Sequence, residues 1–150
     1  MPDRKVVDIM TRDLTALTPE TSLQQAAHLF SLMRISGLPV VDEQQRVIGF
    51  LSEADIIDAI SPRSRDHSGI FLMDFGEIAR KMRSASNAVV RDYMTEHPIT
   101  VEESQDIGSV SEIMLTEHTK ILPVVRDGVL IGIVNRADAC SALMEDHWES

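Results

Sequence analysis

The sequence predicts an α+β fold built from two copies of one strand-helix-strand-strand-helix unit, packed sheet to sheet about a pseudo-twofold axis. Three observations carry this expectation. The run Ile35 to Val41, ending Leu-Pro-Val-Val, returns as Thr119 to Val125, and Gly49 to Asp55 returns as Gly132 to Asp138. The spacing is regular: Met10 and Met94, Thr11 and Thr95, and Pro39 and Pro123 lie 84 positions apart, while Gly49 and Gly132, and Asp55 and Asp138, lie 83 apart. One residue is therefore missing where Asp42 to Arg46 is answered by Arg126 to Val129, in a turn, where hairpins tolerate length change. A period above about 50 residues marks a duplicated domain rather than a solenoid. Finally, a unit of roughly 60 residues buries only about 60% of its unfolded surface alone, so the halves are expected to share their burial.

The elements follow in order. Val6 to Met10 opens the first unit. Thr15 to Leu17 reads as a short strand before the Thr18-Pro19-Glu20 turn, because proline supplies no ladder donor. Ser22 is a good N-cap for a helix whose Leu23, Ala26, Ala27, Phe30 and Met33 form a stripe at three- and four-residue spacing. Gly37 is expected at its end or just beyond. Leu38 to Val41 and Val47 to Leu51 are β-rich runs around a polar turn, hence a hairpin. A second helix from about Glu53 carries Ala54, Ile56, Ile57 and Ile60, and Ser61-Pro62-Arg63-Ser64 stops it. The unit spans 6–60.

Residues 61–88 have no counterpart in the repeat and read as a connector. Phe71, Leu72, Phe75, Ile78, Ala79 and Met82 give it an amphipathic helix, with Arg80, Lys81 and Arg83 near its end. The second unit, 89–143, repeats the plan. It has a strand near Ile99 to Val101, a helix capped by Asp106 with Ile107, Val110, Ile113 and Met114, strands over Leu122 to Val125 and Leu130 to Val134, and a last helix from about Arg136 through Leu143. The polar tail from Glu145 is free to fray.

Composition narrows the function classes. A net charge of −10 and a pI of about 4.8 oppose binding to nucleic-acid phosphates or anionic lipid. Cys140 is the single cysteine, so no internal disulfide and no cysteine-rich metal cluster can form. Nothing resembles a signal peptide, and no run approaches the ~18 apolar residues of a membrane span. A cytoplasmic location is expected. His28, His67, His97, His118 and His147 show no HExxH spacing, and no nucleophile elbow or P-loop occurs, so no catalytic or metal site is expected.

Two readings remain open for Ser52-x-x-Asp55. A hydroxyl at an N-cap and a carboxylate in the first turn make a helix cap. The same geometry offers free helix N–H groups to an anion, and an ionised aspartate accepts hydrogen bonds from both hydroxyls of a ribose. Asp138 repeats the carboxylate, but Asn135 stands in place of the serine. Arg34, Lys120 and Arg136 are the neighbouring cations, and each serves equally well as a solvated surface residue.

The Asp-x-Met-Thr entry, the Leu-Pro-Val-Val strand and the Gly-x-x-Ser/Asn-x-x-Asp exit, each present twice, resemble those of the cystathionine β-synthase (CBS) domain. The pair resembles a stand-alone tandem CBS, or Bateman, module. That resemblance implies a non-enzymatic regulatory module that senses an adenosyl ligand, AMP, ADP, ATP or S-adenosylmethionine, and requires no cofactor. It implies that Ser52 and Asp55 contact ribose or phosphate opposite Lys120, Ile121 and Leu122, and that Asn135 and Asp138 do so opposite Ile35, Ser36 and Gly37. It also implies a disc-like homodimer, which the apolar residues Ile56, Ile57, Ile60, Ala139 and Leu143 would serve, and an unidentified regulated protein. The alternative is a dimeric interaction scaffold with no physiological nucleotide.

Overall fold

The computed structural model describes residues 4–60 and 75–149. A 3-10 turn at Val6–Asp8 leads to helix α1 (Leu23–Met33), strands β1 (Gly37–Val41) and β2 (Val47–Ser52), helix α2 (Glu53–Ile60) and helix α3 (Phe75–Asn87). A second 3-10 turn, Val90–Asp92, precedes β3 (Thr95–Glu96), β4 (Val101–Glu102), α4 (Ile107–Thr116), β5 (Ile121–Arg126), β6 (Val129–Asn135) and α5 (Arg136–Glu149). The Ser61 to Ser64 stop and Phe71 and Leu72 lie outside the described residues.

Local chemistry explains the helices. The Gln25 N–H donates to the Ser22 hydroxyl at 3.0 Å and the Ser109 N–H to the Asp106 carboxylate at 2.7 Å, each satisfying a donor that the first helical turn cannot. Helix α1 ends at Met33, earlier than Gly37, because Arg34 adopts the left-handed conformation (φ 56°, ψ 48°) that closes a helix. Gly37 opens β1 instead. Its need for glycine is spatial: a Cβ there would stand 2.6 Å from Phe50 Cε1 and 2.9 Å from the Leu51 carbonyl oxygen.

Two three-stranded sheets result, ordered β1-β2-β3 and β4-β5-β6. The hairpins share one register, with Gly37 opposite Ser52 and Ile121 opposite Asn135, and in each it shifts towards the turn, between Val40 and Val41 and between Val124 and Val125. Two strand expectations need correction. Thr15 to Leu17 contributes a single bridge, Leu17 to Val40, held by hydrogen bonds from Leu17 N–H to Pro39 and from Val41 N–H to Leu17. Pro19, without an N–H, stands where the second unit has Glu103, so the ladder stops sooner. Likewise β4 begins at Val101 rather than Ile99.

Burial is organised by an exchange. Val6, from the start of the first unit, is fully buried among Val101, Ile107, Val110, Leu122 and Val134 of the second. Val90, from the start of the second, is fully buried among Leu17, Leu23, Phe30, Leu38 and Leu51 of the first. The hydrogen bonds confirm the reciprocity. Val6 N–H donates to Gln105 and Ile107 N–H to Arg4, while Val90 N–H donates to Thr21 and Leu23 N–H to Ala88, the same bonds shifted by 84 residues. Such a mutual swap is a pseudo-twofold relation. Burying each valine contributes about 1.5–3 kcal/mol, and each repeat depends on the other for it. Helix α3 joins the first core through Ala85 and packs on α1 and α2.

The exchange also explains the repeated glycines. Thr95 pairs with Phe50 and Thr11 with Ile133, so the Met-Thr entry of each repeat crosses the second hairpin strand of the other. A Cβ on Gly132 would lie 2.8 Å from the Thr11 carbonyl oxygen, whereas on Gly49 it would lie 2.5 Å from Met94 Sδ and 3.2 Å from the Thr95 carbonyl oxygen. A thioether can swing aside and backbone cannot. Gly132→Ala is therefore expected to cost about 1–3 kcal/mol, and Gly49→Ala less. Urea denaturation of the two variants checks the order; the reverse order would contradict this packing.

Outside the core, Arg126 at the end of β5 donates two hydrogen bonds to the Glu103 carboxylate, both 2.7 Å, bracing the β4–β5 edge. The Arg126 hydrogen bond, outweighing desolvation and helped by the charges of Arg126 and Arg12, holds the Glu103 carboxyl below its ordinary value. A depressed carboxyl pKa stabilises above the unfolded-state carboxylate range and is lost as pH falls through the folded-state value. Glu103→Gln is thus expected to be less stable than wild type at neutral pH, the two stability-pH curves converging in acid. A gap independent of pH would contradict the assignment.

Candidate functional site

Three concavities surround the repeated motifs. One, of about 310 Å³, lies between the repeats, where Phe50 of β2 meets Thr95, His97, Pro98, Ile99, Glu117, Thr119 and Ile121 to Pro123 of the second. The other two, each of about 560 Å³, are grooves between paired helices, α1 with α2 and α4 with α5.

The cleft between the repeats is shaped by backbone choices. His97 takes a left-handed conformation (φ 50°), turning the chain between β3 and Pro98. Thr119 is fixed at the entry to β5: its N–H donates to Met114, and its hydroxyl donates to the Ile121 carbonyl at 2.9 Å. Glu117 is the C-cap of α4, its N–H donating to Ile113. Apolar walls with hydroxyl and imidazole groups at the margin suit a flat heterocycle with polar edges.

The Ser-x-x-Asp motif forms a reciprocal cap. The Asp55 N–H donates to the Ser52 hydroxyl at 3.2 Å, and the Ser52 N–H donates to Asp55 Oδ2 at 2.9 Å. Asp55 is half-buried. In the second repeat, Asn135 Oδ1 accepts from the Ala137 N–H, two residues on, and among the described residues no bond ties it to Asp138, which is exposed. The asparagine makes a local turn where the serine makes a cap.

The other predicted residues divide between the concavities. Ile121 and Leu122 line the inter-repeat cleft opposite Phe50. The Glu53 N–H donates to the Ser36 carbonyl and Gly37 pairs with Ser52, so Ile35 to Gly37 lie against the α2 start of their own repeat. Ile35 and Ser36, with Arg34, line the α1–α2 groove. Lys120, whose carbonyl accepts from the Arg136 N–H, lines the α4–α5 groove together with Asn135 and Arg136. Asp55 and Asp138 line none of the three. Sequence reasoning did not single out Phe50, Thr95, His97, Glu117 and Thr119 for this cleft; the recurrence of the Met-Thr pair marks Thr95 as part of the repeat but does not say which hairpin it meets. Among the described residues no group of three or more His, Cys, Asp or Glu side chains gathers to hold a metal, and no helix is long and apolar enough to cross a membrane.

Comparison with known proteins places these features. The CBS-domain family model matches residues 6–62 and 90–145. The chain is 30% identical to the chloroplastic CBS domain-containing protein CBSX1 of Arabidopsis thaliana over 93% of its own length, but spans only 64% of that protein. The crystal structure of CBSX2 from Arabidopsis thaliana is similar at a TM-score of 0.77 and 29% identity, covering 99% of both chains. CBSX2 in complex with AMP is similar at a TM-score of 0.73 and 28% identity, covering 94% of this chain and 97% of that one.

The cap geometry separates the two aspartates. Asp55→Ala loses a hydrogen bond that Asp138→Ala does not, so its stability loss is expected to exceed that of Asp138→Ala by about 0.5–1.5 kcal/mol. Urea denaturation without ligand checks this, and equal losses would contradict it.

Proposed function

The chain belongs to the CBS-domain family as a tandem pair, and on that premise we propose that it is a regulatory module that senses an adenosyl ligand and catalyses no reaction itself. The observation that carries this reading is the cleft between the repeats, with Ile121 and Leu122 on one side and Phe50 on the other. CBSX2, a relative of the same fold, has been crystallised with AMP. In this reading the adenine lies against Ile121, Leu122 and Phe50. The aspartates at the helix starts, Asp55 and Asp138, receive ribose hydroxyls, Asp55 through the oxygen not given to Ser52. By the pseudo-twofold relation we infer a second such site beside Ile35 to Gly37. Binding across the repeats would couple ligand occupancy to their relative position, which is what a sensor needs.

We also infer a homodimer. Leu32 and Ile57 on one helix pair, and Leu115, Leu143 and Met144 on the other, are between 41% and 71% exposed beside the two grooves. Of the residues assigned to this face from sequence, Ala139 is buried in the second core and Ile56 and Ile60 pack on the first, so Ile57 and Leu143 remain for a partner. The same faces support the second reading, a dimeric scaffold without a nucleotide. A regulated partner protein and a cytoplasmic location complete the proposal.

Calorimetry and thermal unfolding with AMP, ADP, ATP and S-adenosylmethionine separate the readings. A ligand at about 100 times its Kd is expected to stabilise the native state by about 2.7 kcal/mol. Phe50→Ala is expected to weaken binding by about 1–3 kcal/mol, the worth of one base-aromatic contact. No shift with any of the four, in a protein that still dimerises, would overturn the sensor in favour of the scaffold.

A further inference from the structure

Charge on the inter-repeat cleft points to a preference among adenosyl ligands. Resting on the reading that this cleft binds such a ligand, we infer that it selects those with at most one phosphate and that Glu117 sets the limit. Among the described residues the charged or titratable side chains on its wall are Glu117 and His97. The cations of the repeated motifs are directed elsewhere: Arg34 to the α1–α2 groove, Lys120 and Arg136 to the α4–α5 groove. The wall of this cleft therefore presents a carboxylate and no lysine or arginine among the described residues.

The fold does not require that carboxylate. Glu117 caps the C-terminal end of α4, where the helix dipole already presents negative charge and disfavours an acidic side chain. It is exposed and makes no ion pair among the described residues. At the equivalent position of the first repeat, 84 residues earlier, stands Met33. The helix end and Glu117 together give this side of the cleft a negative potential, in a chain whose net charge is already −10. His97 can donate a hydrogen bond to one phosphate, but a single imidazole does not offset a triphosphate. A cavity of about 310 Å³ also lies at the small end of ligand sites, which run from about 300 to 1,000 Å³.

Repulsion between unit charges about 7 Å apart, at effective dielectric constants from water to a protein surface, amounts to about threefold to more than tenfold in affinity per added charge. The test is isothermal calorimetry of the full chain with adenosine, AMP, ADP and ATP, without magnesium and at fixed ionic strength, for wild type, Glu117→Gln and Glu117→Lys. Wild type is expected to bind AMP at least about tenfold more tightly than ATP. Glu117→Gln should narrow that ratio and Glu117→Lys close it, the change in ATP affinity exceeding any change in adenosine affinity by about tenfold or more for Glu117→Lys. ATP binding as tight as AMP in wild type, or substitutions that shift adenosine and ATP alike, would overturn the charge limit while leaving adenosyl binding intact. Failure of all four, and of S-adenosylmethionine, to bind would overturn the underlying reading as well.

Discussion

Everything in this structure depends on the exchange of entry segments between repeats. Val6 completes the core of the second repeat and Val90 that of the first, each fully buried and each anchored by backbone hydrogen bonds that recur 84 residues apart. A repeat cut at its sequence boundary would lose its own lid and expose the valine it lends. Two small units thus reach the burial of one domain, which resolves the surface-to-volume problem of a half-size chain.

The cleft between the repeats follows from the same constraint. Because Thr95 crosses β2 to pair with Phe50, the segment Thr95 to Ile99 is delivered to the first repeat's hairpin, and a concavity opens between it and the start of β5. The glycines that permit this crossing are those that the sequence repeats. Divergence between the copies then tunes a symmetric frame: Ser52 caps where Asn135 turns, and Glu117 stands where the first repeat has Met33. The local difference between the copies needs no change of fold.

Much of this was legible in the chain. Ser22 and Asp106 announce their helices because capping is local chemistry, and both hairpins follow from β-rich runs around polar turns. The exchange was not legible, because an 84-residue offset is the same whether each entry segment packs on its own repeat or on the other. Thr15 to Leu17 reads as a short strand before the Pro19 turn but makes a single bridge, because so short a run does not reveal how few ladder bonds Pro19 leaves it. The family resemblance implies one cleft for Lys120, Ile121 and Leu122; in the structure Lys120 lines the α4–α5 groove, while Thr119, Ile121 and Leu122 line the cleft between the repeats.

The most direct test of the exchange is native-state hydrogen exchange on Val6→Ala, following the amides of Val40 in the first core and Val124 in the second. If the repeats form one cooperative unit, both amides open with the same free energy in wild type and lose the same amount in the variant. If Val124 loses protection while Val40 keeps its own, or if the loss falls on Val40 alone, the repeats are independent or the entry segment packs on its own repeat, and the account is wrong.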